Sequence, residues 1–131
     1  MNLNYWKEYP LEKFGEIVKK NPMTPDKINT MILDRDITVF FSKEMKSSIA
    51  PIGNFRYKIL INSNDSQEKQ KKDLIHKIIH SFYKISIFSI KGEEECPMSK
   101  IEDIITRETD YFCDSYSDYI DSLYARLLIQ K

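Results

Sequence analysis

Glycine is scarce in this chain, with three in 131 residues, so the glycine-rich loops that cradle phosphates have little to be built from. Cysteine is nearly absent too. Cys96 and Cys113 are too few for a disulfide framework, and with no Cys-x-x-Cys pair they offer no sulfur-based metal site; both read as free thiols. Neither sign of charge prevails, since twenty Lys and Arg balance twenty Asp and Glu. A net field that would draw in nucleic acid or an anionic membrane is therefore missing. The basic run at Lys69, Lys71 and Lys72 reads as a solvated helix face. No apolar stretch approaches the roughly 18 residues that a membrane helix requires. The first residues, with Asn2, Asn4, Trp6 and Glu8, lack the apolar centre of a signal peptide. A cytosolic protein with no membrane partner is expected, and without a helix-turn-helix signal none that binds nucleic acid directly.

What is present suffices for one ordinary domain spanning 1–131, because 41% apolar and 12% aromatic residues can bury a core. Leu11, Phe14, Ile17 and Val18 recur at helical spacing before Asn21-Pro22, and Thr24-Pro25-Asp26 is a helix start with proline at the first position. The second helix carries Ile28, Met31 and Ile32. Residues 37–41 and 55–61 are short, β-branched and aromatic, which predicts two strands joined by a Ser/Pro/Gly loop containing Pro51 and Gly53. Asp65 followed by Glu68 predicts a capping box opening a third helix, and the alternation of Ile85, Ile87 and Ile90 predicts an extended segment before the acidic loop Glu93 to Glu95. Ser99-Lys-Ile-Glu102 predicts a second capping box. It opens a long helical stripe through Ile101, Ile104, Ile105, Tyr111, Phe112, Tyr116, Tyr119, Ile120, Leu123 and Leu127. The expected fold is α+β: N-terminal helices, a short antiparallel or mixed sheet, a histidine-bearing helix and a long C-terminal helix.

The chain's two histidines, His76 and His80, are four residues apart in the third helix. Residues i and i+4 lie one turn apart on one helix face, where two imidazoles can hold a single metal ion. On the helical wheel Leu74, Ile75, Ile78, Ile79, Phe82 and Tyr83 form the apolar arc, with both histidines half-buried at its edge. A zinc hydrolase of the His-Glu-x-x-His type needs glutamate directly after the first histidine as general base. Lys77 stands there instead.

A second anomaly lies in the last helical stripe. Glu108 projects near the middle of the apolar arc, between Ile101, Ile105 and Phe112, whereas Glu102, Asp103, Asp110 and Asp118 fall outside it. A carboxylate aimed at a core costs several kcal/mol unless something satisfies it. Two histidines and a later carboxylate make the three-ligand set of a catalytic-type zinc site, and His76, His80 and Glu108 are the expected ligands. The residues equally allow a hydrogen-bonded His/Glu core cluster, or positions that never meet.

The run Tyr57-Lys-Ile-Leu-Ile-Asn62, followed by Leu74-Ile-His-Lys-Ile-Ile-His80, resembles the ImmA/IrrE family of zinc metallopeptidase-like proteins. In that family an isoleucine-asparagine strand end precedes a His-Glu-x-Gly-His helix, and its members act in mobile-element and stress regulation. The order of elements is similar over nearly the whole chain. The resemblance implies a small zincin-like domain, zinc as the cofactor, and a protein partner such as a transcriptional regulator. Lys77 and Ile79 depart from the family's glutamate and glycine. Thr106-Arg-Glu-Thr-Asp-Tyr-Phe-Cys113 is only loosely similar to the family's downstream signature. Pairing Phe112-Cys113 with that signature puts Thr106 at the ligand position, while the wheel favours Glu108. A degenerate member, lacking the base and acting through a partner, is the reading that follows. An active zinc peptidase drawing its base from the Glu93 to Glu95 loop is the enzymatic alternative, and an unrelated α+β interaction module is the third.

Overall fold

The computed structural model describes residues 11–53, 56–83 and 98–129. Five helices and three strands run in the order α1 (Leu11–Lys20), α2 (Pro25–Leu33), β1 (Ile37–Ser42), β2 (Ser48–Gly53), β3 (Arg56–Asn62), α3 (Gln67–Phe82), α4 (Met98–Ser115) and α5 (Ser117–Ile129). The fold is α+β, as expected. The predicted strand at residues 85–90, the acidic loop and Cys96 lie outside the described residues. No described helix is long and apolar enough to cross a membrane.

The start of α2 is the one the sequence dictates. Thr24, in extended backbone, accepts the Lys27 N–H, and Pro25 occupies the first turn, where its missing N–H costs nothing. The helix ends in a Schellman arrangement: Asp36 N–H bonds to the Met31 carbonyl (2.8 Å) and Arg35 N–H to that of Ile32 (3.1 Å). Arg35 takes the left-handed conformation (φ 61°) that glycine usually fills, and the chain turns straight into β1.

The sheet is mixed, in the order β1-β3-β2. β3 pairs in parallel with β1, Ile37 opposite Tyr57 through Ser42 opposite Asn62, and antiparallel with β2. β2 corrects the expectation of a loop at Pro51 and Gly53. An edge strand tolerates a proline that a central strand cannot, and the register shifts between Pro51 and Gly53, so turn-forming composition concealed a real strand. Tyr57, Ile59 and Ile61 point into the core from β3, while Arg56 and Lys58 point out.

A turn after Asn62 leads into α3, whose N-cap is Ser66, accepting the Lys69 N–H at 3.2 Å, one residue beyond the predicted Asp65. Leu74, Ile75, Ile78 and Ile79 are fully buried against the sheet and α4. Each such side chain contributes about 1.5–3 kcal/mol of burial energy. The predicted continuous C-terminal helix is two helices that meet at Tyr116. Its flanking serines, Ser115 and Ser117, mark the break, while Tyr116 N–H to Phe112 and Ile120 N–H to Tyr116 carry hydrogen bonds across it. Ile101, Ile105, Phe112, Ile120, Leu123 and Leu127 are core, but Tyr111 is exposed.

Candidate metal centre

α3 follows the central strand and lies on the sheet through its isoleucines, so its histidine edge is turned toward α4. His76 is half-buried, as expected, whereas His80 is buried more deeply than its place at the edge of the arc predicted. Their Nε2 atoms lie 3.2 Å apart. The carboxylate that meets them comes from Glu102 of α4. Its Oε1 contacts His76 Nε2 directly and lies 3.2 Å from His80 Nε2, and its Oε2 lies 3.1 Å from the same atom. His76, His80 and Glu102 thus form a group positioned to hold a metal ion, each presenting one ligand atom, with all three atoms within 4.8 Å of one another.

The donor chemistry fits a metal. Tetrahedral zinc bonded to nitrogen at about 2.0–2.1 Å separates its ligand atoms by roughly 3.3 Å. The His76–His80 and His80–Glu102 separations of 3.1–3.2 Å are close to that edge length, whereas Glu102 Oε1 touches His76 Nε2 more closely than that, in a direct hydrogen bond that an ion would have to displace. Two imidazoles and one carboxylate leave the fourth position of a tetrahedron open. Hydrogen bonds from His76 first, and then from His80, hold the Glu102 carboxyl well below the usual carboxylate range, outweighing the opposing effect of its partial burial. An ionised carboxylate is the form that binds a cation.

Glu108 is elsewhere. It accepts the backbone N–H of Met23 at 2.8 Å, in the connection between α1 and α2. The demand that something meet this carboxylate is satisfied, but by a peptide group and not by the histidines, so Glu102 replaces Glu108 as their partner. Sequence reasoning passed over Glu102 because it read the residue as the distal half of a capping box and placed it outside the apolar arc. The available signal was positional. His76 and His80 sit at the edge of their own arc, and a partner on the facing helix belongs at an edge as well. Thr106, the residue favoured by the loose downstream similarity, lies one turn beyond Glu102 on the same side of α4.

Other features of α3 have structural partners. Lys69 pairs with Asp73 and Asp65, Lys71 with Asp121, and Lys72 with Asp110, so the basic run faces carboxylates. Cys113 is half-buried and its burial pushes the thiol pKa up, consistent with an unreactive free thiol. Lys77 is half-buried on the helix between the two histidines. Comparison of the chain with protein families, with curated proteins and with solved structures finds no match.

Proposed function

We propose that the protein is a zinc-binding, catalytically degenerate zincin-like module that works by engaging a protein partner, in the manner of an ImmA/IrrE-like regulator from which peptidase chemistry has been lost. The observation that carries this reading is the convergence of His76, His80 and Glu102 in a three-donor arrangement, with Lys77 where the general base of the His-Glu-x-x-His motif belongs. Zinc suits two imidazoles and one carboxylate with a fourth position free. Bound there, it would polarise a water or a carbonyl oxygen. Lys77 has no carboxylate with which to take a proton from that water. The nearest replacement named by the sequence, the Glu93 to Glu95 loop, lies outside the described residues. The site is therefore suited to holding structure, or to gripping a ligand, more than to hydrolysis. The similarity of Tyr57 to Asn62 and Leu74 to His80 to the family's strand and helix supports a regulatory role in a mobile element or a stress response.

Metal analysis of protein purified without added metal tests the zinc reading. About one zinc per chain is expected in the parent and almost none in His76→Ala. A parent without metal would leave His76, His80 and Glu102 as a hydrogen-bonded cluster and end the proposal. Lys77→Glu tests the degeneracy. No peptide hydrolysis is expected of the parent, and hydrolysis by the parent itself would overturn the non-enzymatic role.

A further inference from the structure

The sheet has two edges, and they are finished differently. β2 carries Pro51 and a register shift between Pro51 and Gly53, two devices that keep other strands from adding to an edge. β1 carries neither. Its residues pair with β3 in unbroken register, no charged side chain interrupts it from Ile37 to Ser42, and among the described residues no strand lies beyond it. The Asp36 and Ser42 carbonyls accept the N–H groups of Tyr57 and Ser63, so even-numbered residues face β3 while Ile37 and Val39 turn their N–H and C=O groups outward. Along this edge runs a groove of about 670 Å³, walled by Ile32 of α2 and Leu127 of α5. Phe40 is 46% exposed on the strand, with the Lys58 ammonium 4.9 Å from the centre of its ring. Arg35 also lines the groove. It is exposed, it is the only charged residue in the lining, and it has no carboxylate partner among the described residues.

An edge left regular and apolar is a template for one more strand. A second copy of this chain suits it poorly. Facing residues of an antiparallel pair lie on one side of the sheet, so self-pairing of β1 centres on Val39, which sets Arg35 against Lys43, or on Phe40, which sets Asp36 against Glu44. Like charges directly opposite each other are destabilising. We propose that the outer edge of β1 is the docking surface for the protein's partner, which adds an extended apolar segment antiparallel to β1 with an acidic residue at its C-terminal end, beside Arg35. Main-chain hydrogen bonds to Ile37 and Val39 supply affinity, and the apolar walls take alternate side chains. Arg35, with Lys58 nearby on Phe40, selects an acidic segment over a basic one. This docking mode rests on the partner-binding reading of the protein, but not on zinc. The competing explanation is an apolar groove to which any greasy peptide adheres without forming a strand.

The probe is a fluorescent, C-terminally amidated peptide that alternates valine and threonine and ends in glutamate, titrated into the full chain with and without zinc. Binding is expected in both conditions. N-methylation of one alternate set of its amides, those facing β1, should weaken binding at least about 30-fold, and methylation of the other set should leave it within about threefold. Arg35→Glu should weaken the peptide about fivefold and reverse its preference over a lysine-ended version. No binding to the parent, or two methylated peptides that behave alike, would overturn the proposal. So would a parent dimer in sedimentation that dissociates as the peptide is added, which would give the edge to a second copy. A parent that binds no peptide, beside a variant with residues 85–90 replaced by glycine and serine that does, would give the groove to the chain's own segment and equally end the proposal. Peptide binding by a parent that holds no zinc would remove the zinc reading and leave the docking surface, whereas zinc without peptide binding would do the reverse.

Discussion

Glu102 and Glu108 stand on one helix, both half-buried, yet they do different work. Six residues separate them, about 240° around an α-helix, so they face different neighbours. Glu108 points into the apolar arc and is met by one permanent donor, the Met23 N–H, which ties the α1–α2 connection to α4. Glu102 sits at the rim, with its side chain 40% exposed, and meets two imidazoles whose lone pairs can be shared with an ion. A carboxylate set within an apolar arc calls for a fixed partner, because even its partial desolvation is costly. A carboxylate at the rim keeps enough solvent to remain ionised and enough freedom to serve as a ligand. On α4 the anomalous residue is structural and the inconspicuous one is chemical.

The most damaging test of this contrast exchanges the two roles. Glu102→Ala and His80→Ala are expected to lose zinc by at least about 100-fold in affinity, since each removes one of three protein ligands. Glu108→Ala should bind as the parent does. The opposite pattern in a chelator competition would mean that the wheel, and not the structure, had found the ligand. Metal removal gives the next largest effect. A ligand at about 100 times its Kd stabilises the folded state by roughly 2.7 kcal/mol. Chelation should lower the denaturation midpoint of the parent and of Glu108→Ala alike. In Glu102→Ala it should change nothing.

On the structural side the expected loss is smaller and independent of metal. Glu108→Ala leaves the Met23 N–H, on a residue that is 2% exposed, without its acceptor. A hydrogen bond to a charged group is worth roughly 1.5–3 kcal/mol, and the part-exposed carboxylate places this one toward the low end. Glu108→Gln keeps an oxygen for the amide and should recover most of the difference in a urea titration. A glutamine variant as unstable as the alanine one would show that the negative charge matters, and not the hydrogen bond.

How these two carboxylates were read also shows how far periodicity reaches. Spacing of apolar residues identified the faces of α3 and α4 that are buried, together with the proline-led start of α2 and the two pattern-rich strands. It placed both histidines at a rim, where His76 lies half-buried, while His80 is buried. A wheel describes one helix at a time, however, and which carboxylate meets His76 depends on the crossing of two helices, which no single pattern encodes. β2 was hidden for a different reason: Pro51 and Gly53 are turn formers in isolation, and only the pairing with β3 makes their segment a strand. At Tyr116 a continuous apolar stripe concealed the break between two helices, since the periodicity runs on across it. Tyr111 joined the predicted stripe by spacing, and the structure leaves it exposed.

The subtlest expected difference concerns acid. In protein stripped of metal, hydrogen bonds from His76 and His80 hold the Glu102 carboxyl well below its usual value near 4.5. A group whose pKa is depressed by folding contributes stability above its unfolded pKa and loses that contribution as pH falls toward the folded one. The contribution should thus be complete at about pH 5 and above, and should fade progressively below about pH 4. Glu102→Gln never has it. The gap in urea midpoint between metal-free parent and Glu102→Gln is therefore expected to be widest near pH 5 and to narrow on acidification, by a modest amount because solvent screens a side chain that is 40% exposed. A gap that stayed constant through the acid range would mean that the carboxylate and the imidazoles are merely neighbours. A gap that narrowed would show that, even without an ion, the rim of α4 is held to α3 by charge, whereas the hydrogen bond of Glu108 to Met23 ties the same helix to the backbone between α1 and α2.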